Sequence, residues 1–147
     1  MISPGLTRDD WAQQLKDRTK AFALEILTLF RSLPKTEEAR IIGKQLLRSS
    51  MSVAANYRAV CRARSKAEFV STMGLVIEEA DETLFWLEIL VEGNIASEAR
   101  SFMKEANELA SIFIASRRTA RLGGVAQSVN RQSVNRQSVN RQSVNRQ

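Results

Sequence analysis

The sequence predicts an all-α protein: an antiparallel up-down-up-down four-helix bundle with a disordered C-terminal tail. Apolar residues recur every three or four positions over four long segments, which is the period of an amphipathic helix. Only two prolines interrupt the chain, and the breaks between the segments are short, as expected for antiparallel neighbours. A repeated pentad without such a pattern follows. The predicted domains are therefore a bundle over residues 1–124 and a low-complexity tail over residues 125–147.

The first helix is predicted to begin after a cap at Thr7 and to end at Leu33, because Pro34 disfavours helical geometry in the preceding residue. A second helix starts at Thr36 and carries many small residues, which allow close approach of a neighbouring helix. That neighbour belongs either to the same subunit or to a second one, and both alternatives stay open. Its inner positions at heptad spacing are Ile42, Leu46, Ser49, Val53, Asn56 and Val60.

The third helix begins at the capping box formed by Ser65 and Glu68 and ends at Gly93-Asn94. It is apolar over a wide face, which is typical of a helix packed on two sides. The fourth helix is predicted over residues 97–121, with an end at the glycine pair 123–124.

The tail repeats SVNRQ four times without variation over residues 128–147. One valine per repeat and no aromatic residue cannot bury enough surface to offset the ordering entropy, so we expect disorder. A weakly basic arm is the functional alternative, because each repeat carries one arginine. The whole chain has a net charge of +6, and without these four arginines 18 basic residues face 16 acidic ones, a net of +2. The high charge is therefore weak support for nucleic-acid binding by the bundle.

The distribution of charge is more informative. Residues 40–66 contain seven basic residues and no acidic one, whereas residues 78–108 contain nine acidic residues. A hairpin of the second and third helices places Arg48 level with Glu79, and Lys44 near Glu82 or Thr83. We expect Arg48, Glu79 and Glu82 to form ion pairs within the subunit or between subunits.

Four cations remain at the turn between these helices: Arg58, Arg62, Arg64 and Lys66. They have no acidic residue opposite them except Glu68. One interpretation is a phosphate-binding surface for RNA or DNA. The other is a solvated helix end whose cations pair between subunits.

Two neighbouring residues are candidates for structural or interface roles. Asn56 lies on the predicted inner stripe, where a buried asparagine fixes helix register. Tyr57 is the only tyrosine, and either packs across an interface or stacks on a base.

No catalytic constellation is visible, so we expect no enzyme, cofactor, metal or small-molecule substrate. The chain contains no histidine, the commonest general base. The carboxylates of residues 78–82 are typical of a charged helix face, and Cys61 of a small packing residue. No apolar run approaches the length of a membrane span, and the N-terminus lacks the pattern of a signal peptide. A single cysteine fits the reducing cytoplasm.

Residues 52–90 carry a resemblance to a known family. The motifs are NYR at 56–58, RARSKAEF at 62–69, EEADE at 78–82 and WLE at 86–88, preceded by IGKQLLRSS at 42–50. Over residues 8–120 the chain resembles the bacterial four-helix bundle proteins encoded within intervening sequences of 23S ribosomal RNA genes. The SVNRQ tail departs from that family's pattern.

The resemblance implies a four-helix bundle that assembles as a homo-oligomer, commonly a homopentameric ring. It also implies kinship with the accessory bundle proteins of diversity-generating retroelements, which bind nucleic acid and a reverse transcriptase. Two functions therefore stay open: a nucleic-acid-binding oligomer, and a protein-interaction scaffold without a nucleic-acid role.

Overall fold

The computed structural model describes the backbone of residues 5–144 and the side chains of residues 5–123. Four long helices follow one another in this part of the chain, and it contains no strand. Each helix packs against the next in an up-down-up-down order, which confirms the predicted all-α bundle. The helices are α1 (Arg8–Ser32), α2 (Glu37–Val60), α3 (Lys66–Glu92) and α4 (Arg100–Val144), with a 3₁₀ turn at Ser97–Ala99 before α4.

Local signals set the ends of α1 as predicted. The Thr7 hydroxyl accepts the Asp10 amide over 3.1 Å, and the Asp10 carboxylate accepts the Thr7 amide over 3.0 Å. These two bonds satisfy donors that the first turn of a helix leaves unpaired. The Thr7 hydroxyl, which donates to the Asp10 carboxylate over 2.7 Å, and then the Thr7 amide lower the pKa of Asp10. Leu33 follows the last helical residue in an extended conformation, as a residue before proline prefers.

The ends of α3 also follow the sequence. The Ser65 hydroxyl accepts the Glu68 amide over 3.1 Å, and the Glu68 carboxylate accepts the Arg64 amide over 3.0 Å. At the other end, Gly93 caps the helix, and Asn94 adopts a φ of 55° in the left-handed region. Asparagine tolerates this region better than most residues, which makes it a suitable helix stop.

A single core runs along the bundle axis and takes residues from all four helices. Thr19 lies among the apolar core residues of α1 and is fully buried. Burying each large apolar side chain stabilises the fold by roughly 1.5–3 kcal/mol. The largest fully buried apolar side chains are Ile26, Leu46, Val53, Val60, Met73, Val76, Leu87, Leu90, Leu109 and Phe113.

The inner face of α2 differs in part from the prediction. Ile42 and Asn56 are half-buried, and the buried positions next to them are Gly43 and Tyr57. The buried face keeps the seven-residue spacing, with one row at 39, 46, 53 and 60. Its second row, at 43, 50 and 57, lies one residue after the predicted row at 42, 49 and 56. Gly43 permits a close helix contact, because a Cβ atom there would lie 2.7 Å from Leu33 Cδ1. At Gly43, the face of α2 that carries small residues therefore packs against α1 of the same subunit.

The end of α4 differs from the prediction. The helix continues through the glycine pair at 123–124 and ends at Val144. A glycine in a helix costs only about 1 kcal/mol relative to alanine, so two of them weaken a helix without ending it. The domain division at residue 124 and the disorder of the repeats in solution stay predictions, since the repeats lack the apolar stripe through which helices gain most of their stability.

Candidate functional site

The turn between α2 and α3 brings four predicted site residues to one end of the bundle. Cys61 follows the last residue of α2, and the amides of Arg62 and Ala63 donate to the carbonyl groups of Ala59 and Val60 over 3.0 and 3.1 Å. These bonds close a tight, ordered turn before the Ser65 cap. As a result, the cations of the turn occupy one short stretch of backbone: Arg58, Arg62, Arg64 and Lys66.

All four of these side chains are exposed, and none forms an ion pair within the part of the chain whose side chains are described. Glu68, the one acidic residue expected to oppose them, accepts the backbone amide of Arg64 instead of a cationic side chain. The carboxylate that could have neutralised the cluster is thus used to start α3. The structure places the four cations together, as predicted, and leaves their charge uncompensated by ion pairing.

The last turns of the bundled part of α4 bring further arginines to the same end. Arg117 Nε donates to the Val70 carbonyl oxygen over 3.1 Å, in the first turns of α3. Its guanidinium group lies against Gly74, where a Cβ atom would be 3.2 Å from Arg117 Nη2. Further along, a Cβ atom on Gly123 would lie 3.7 Å from Lys66 Nζ, so α4 passes beside the start of α3.

We call this surface the basic end and define it by seven residues: Arg58, Arg62, Arg64, Lys66, Arg117, Arg118 and Arg121. Arg117 is half-buried and the other six are exposed. The three α4 arginines were not among the site residues predicted from the sequence. The antiparallel order of the helices could have predicted their position, because it sets residues 117–121 of α4 beside the first turns of α3.

The N-terminus of α1 lies at the same end and contributes the acidic residues Asp9 and Asp10. The Asp10 carboxylate accepts hydrogen bonds from both the amide and the hydroxyl of Thr7, at 3.0 and 2.7 Å. It is therefore engaged in capping α1. Neither acid forms an ion pair with the basic end among the described side chains.

Arg48 is held away from this cluster by acidic partners on α3, as predicted. Its Nη1 lies 3.3 Å from Glu79 Oε2, and its Nη2 pairs with Glu82. The hydrogen bond to Glu82 raises the pKa of Arg48, and that bond together with one from Trp86 Nε1 lowers the pKa of Glu82. These pairs lie within one subunit.

The predicted placement of Lys44 near Glu82 or Thr83 is wrong. Arg48 and Trp86 occupy the Glu82 carboxylate, and the Thr83 hydroxyl lies 3.0 Å from the Ser49 hydroxyl in the buried α2–α3 contact. Lys44 lies instead in a cleft near the turn between α1 and α2. Of the basic residues within 40–66, Arg48 is therefore ion-paired, whereas those before and after it form no ion pair among the described side chains.

Tyr57 packs inside its own bundle and leaves little surface for a base or a second subunit. Its side chain is 5% exposed, and its ring lies against Phe113 with centroids 5.6 Å apart. Burial raises the pKa of its phenol group, and Cys61 one turn later raises it further. Asn56 is half-buried beside it and not on the buried stripe. Cys61 is exposed, so the predicted packing role for its thiol is wrong.

One ion pair that the sequence did not indicate joins α1 to α4. Arg18 Nε lies 2.6 Å from Glu105 Oε1, and Arg18 Nη2 lies 2.8 Å from both Glu105 Oε2 and Glu108 Oε2. The hydrogen bond to Glu105 raises the pKa of Arg18. Its members are 90 residues apart at most, and only the closed bundle brings them together.

Residues 5–144 hold no group of three or more histidine, cysteine or acidic side chains that could bind a metal ion. Over the same residues, no helix combines the length and the apolar character needed to cross a bilayer.

Comparison with known proteins places this architecture in a family. Residues 13–115 match the 23S rRNA-intervening sequence protein family. The chain belongs to that family. No curated protein is significantly similar to this 23S rRNA-intervening sequence protein.

A solved structure with the same fold is a protein of unknown function from the S23 ribosomal protein family of Bacteroides thetaiotaomicron VPI-5482. It is 28% identical to this 23S rRNA-intervening sequence protein, with a TM-score of 0.67. The similarity covers 73% of this chain and 97% of the Bacteroides chain. The family match at 13–115 includes the four cations of the α2–α3 turn and ends before Arg117.

Proposed function

We propose that this 23S rRNA-intervening sequence protein is a non-enzymatic cytoplasmic oligomer that binds structured RNA or DNA through the basic end. One observation carries the proposal. Seven cations from two separate chain segments gather at one end of the bundle, and none of them is ion-paired among the described side chains. Unpaired, exposed cations are free to replace the counterions of a phosphate backbone.

Arginine dominates this surface, and the guanidinium group suits phosphate because it donates two parallel hydrogen bonds to two oxygens. The start of α3 adds its own partial positive charge at the same place. The aromatic residues next to these cations in the sequence are Tyr57, which is buried, and Phe69, which is half-buried, so neither presents an exposed ring. We therefore expect contacts to the phosphate backbone, with weak dependence on base sequence.

A single surface of this kind binds weakly, and repetition around an oligomer strengthens it by avidity. The homopentameric ring implied by the family resemblance would repeat the basic end five times. An assembly would also cover large apolar side chains that are exposed on the isolated chain. They are Leu24, Ile41, Met51, Leu75, Phe85, Ile114 and Leu122.

The alternative is a protein-interaction scaffold without a nucleic-acid role. The exposed acidic residues Glu78 and Asp81 on α3 support it, because they form no ion pair within the described part of the chain. In a ring, the basic end of one subunit would pair with such a face on the next. Salt affects the two functions differently: added salt releases RNA in the first case and weakens the assembly itself in the second.

Binding of a hairpin RNA to matched charge variants of the full chain tests the proposal. The test variant replaces the four cations of the α2–α3 turn by alanine: Arg58, Arg62, Arg64 and Lys66. The control variant removes the same number of arginines and lysines at the opposite end: Arg31, Arg40, Lys44 and Arg100. All eight side chains are exposed, and none is ion-paired among the described side chains.

The proposal predicts that the test variant loses at least about tenfold in RNA affinity, which corresponds to 1.4 kcal/mol. The control variant, with the same net charge, keeps most of the wild-type affinity. Equal affinities of the two variants would mean that only net charge matters. An absence of RNA binding by the wild type at low salt would leave the scaffold function.

Native mass by light scattering tests the assembly separately. We expect the full chain to elute with the mass of a homopentamer, in the absence of nucleic acid. A monodisperse monomer at micromolar concentration would remove both the ring and the avidity argument.

A further inference from the structure

The turn between α1 and α2, at the end of the bundle opposite the basic end, forms a cleft of about 610 Å³. This volume falls within the roughly 300–1,000 Å³ typical of sites for small ligands. The cleft lies between the last turn of α1 and the first two turns of α2. Its lining comprises Phe30, Leu33, Pro34, Lys35, Thr36, Glu37, Ala39, Arg40 and Lys44.

The lining of the cleft contains three cationic residues and one acidic residue. Lys35, Arg40 and Lys44 are exposed, and none of them forms an ion pair among the described side chains. Glu37, the single acidic residue of the lining, is also unpaired within that part of the chain. The cleft therefore has an excess of two positive charges, which favours an anionic ligand over a neutral one.

The backbone of α2 adds to this preference. The Thr36 hydroxyl accepts the Ala39 amide over 3.3 Å, and the Thr36 carbonyl accepts the Arg40 amide over 3.1 Å. The amide of Glu37, in the first turn, has no intrahelical acceptor. Unpaired amides at a helix start favour phosphate oxygens.

The remaining surface of the cleft is apolar. Leu33 and Ala39 are buried, and the Phe30 ring is half-buried. The ring packs closely against α2 at Gly43, because a Cβ atom there would lie 3.0 Å from Phe30 Cδ2. A fixed aromatic ring beside cations suits a ligand that joins a flat apolar group to an anion.

We propose that this cleft binds an organic phosphate, with its phosphate groups between Arg40 and Lys44 and its flat group against Phe30. Lys35 supplies a further positive charge from the turn. Glu37 repels phosphate from its own side of the cleft and accepts a hydrogen bond from a hydroxyl group, which orients the ligand. The site is separate from the basic end and stands whether or not the protein binds nucleic acid.

Titration calorimetry of the full chain with ADP tests the site, with pyrophosphate and adenosine as partial ligands. The test variant is Arg40→Ala with Lys44→Ala, and the control is Lys20→Ala with Arg100→Ala, two exposed cations that belong neither to the cleft nor to the basic end. Circular dichroism and thermal unfolding check that both variants keep the fold. A lone Lys44→Ala variant, further from the α1–α2 turn, keeps the test available if the double variant unfolds.

We expect ADP to bind with a dissociation constant below about 1 mM, and more tightly than either partial ligand. The Arg40/Lys44 variant is expected to lose about tenfold in ADP affinity, while the Lys20/Arg100 variant is unchanged. Undetectable ADP binding, or an equal loss in the Lys20/Arg100 variant, would overturn the site. Pyrophosphate binding as tight as ADP binding would overturn the role of the apolar wall.

Discussion

Arg117 on α4 donates its Nε hydrogen to the backbone carbonyl oxygen of Val70 on α3, over 3.1 Å. The bond orients a half-buried guanidinium group at the end of the bundle where the other unpaired cations gather. The other six cations of the basic end have exposed side chains. Arg117 is the member whose position the fold itself fixes, so it supplies a preorganised charge to that surface.

Gly74 provides the space for this guanidinium group. A Cβ atom at residue 74 would lie 3.2 Å from Arg117 Nη2, so Gly74→Ala is expected to shift the guanidinium group and weaken its bond to Val70. The Arg117 Nε hydrogen, measured by NMR, should exchange slowly in the wild type and fast in the variant.

Gly123→Ala is the matched control, because its Cβ atom would make only an ordinary contact of 3.7 Å with Lys66 Nζ. Slow exchange should persist in that variant. Persistence in Gly74→Ala as well would show that the glycine does not set the position of Arg117.

A buried pair of hydroxyl groups joins α2 to α3. Thr83 Oγ1 lies 3.0 Å from Ser49 Oγ and 2.7 Å from the Glu79 carbonyl oxygen, and both hydroxyl side chains are fully buried. Thr83→Val keeps the shape and removes the hydroxyl, so we expect a loss of about 1 kcal/mol in unfolding free energy. Urea denaturation measures it.

The Ser49 hydroxyl also contacts the Leu46 carbonyl oxygen, at 3.1 Å, so the loss of Thr83 does not leave it unpaired. Thr83→Val with Ser49→Ala should therefore cost less than the two single variants added together. Thr119→Val on the exposed side of α4 is the control and should leave stability unchanged. A loss above about 3 kcal/mol for Thr83→Val would indicate a packing defect instead.

Tyr57 predicts a loss of stability at alkaline pH. Burial raises the pKa of its phenol above the ordinary value of 10.0, so the folded state holds the proton that the unfolded state releases. The contribution of the protonated phenol to the free energy of unfolding is therefore complete below pH 10 and decreases as the pH rises above 10. Urea midpoints between about pH 8 and about pH 11 should fall more steeply in the wild type than in Tyr57→Phe.

The chain has one tyrosine, so the ultraviolet absorbance of phenolate reports on Tyr57 alone. The phenolate absorbance should appear only as the bundle unfolds. Titration of the folded protein near pH 10, with parallel stability curves for wild type and variant, would contradict the buried position of the ring.

The link between Arg18 and Glu105 predicts a measurable coupling between α1 and α4. The two side chains meet through two hydrogen bonds, at 2.6 and 2.8 Å, but Arg18 is 37% exposed. A double-mutant cycle with alanine should give a coupling energy of about 0.5–1 kcal/mol, decreasing with salt.

Lys104 and Glu108 provide a comparison within one helix, at 4.0 Å and with greater exposure of the lysine. Their coupling energy should be smaller than that of Arg18 with Glu105. The reverse order would mean that the α1–α4 contact is not formed in solution.

Local signals explain why much of the fold was predictable. Thr7, Pro34 and Ser65 act on their immediate neighbours, and the helix ends that they predict are the ones in the structure. The pairing of Arg48 with Glu79 followed from one hairpin between consecutive helices. In each case the determining contacts are close in sequence or connected by a single turn.

The remaining features depend on geometry that spacing alone does not contain. The predicted inner row included Asn56, whereas the buried row lies one residue later, at Gly43, Ser50 and Tyr57. Arg117 reaches Val70 only once α3 and α4 are packed, and Gly74 opens the space for it. Two glycines predicted the end of α4, although glycine weakens a helix without ending it.

The central claim is that the basic end binds a phosphate backbone, and the salt dependence of RNA affinity tests it most directly. The measurement uses the full chain with the tail arginines at 131, 136, 141 and 146 changed to glutamine, so that the tail does not contribute. The protein is compared with and without the four-alanine substitution at the α2–α3 turn. If all four cations contact phosphate, the slope of log affinity against log salt should become shallower by about three for each subunit engaged. An unchanged slope and affinity would contradict the claim.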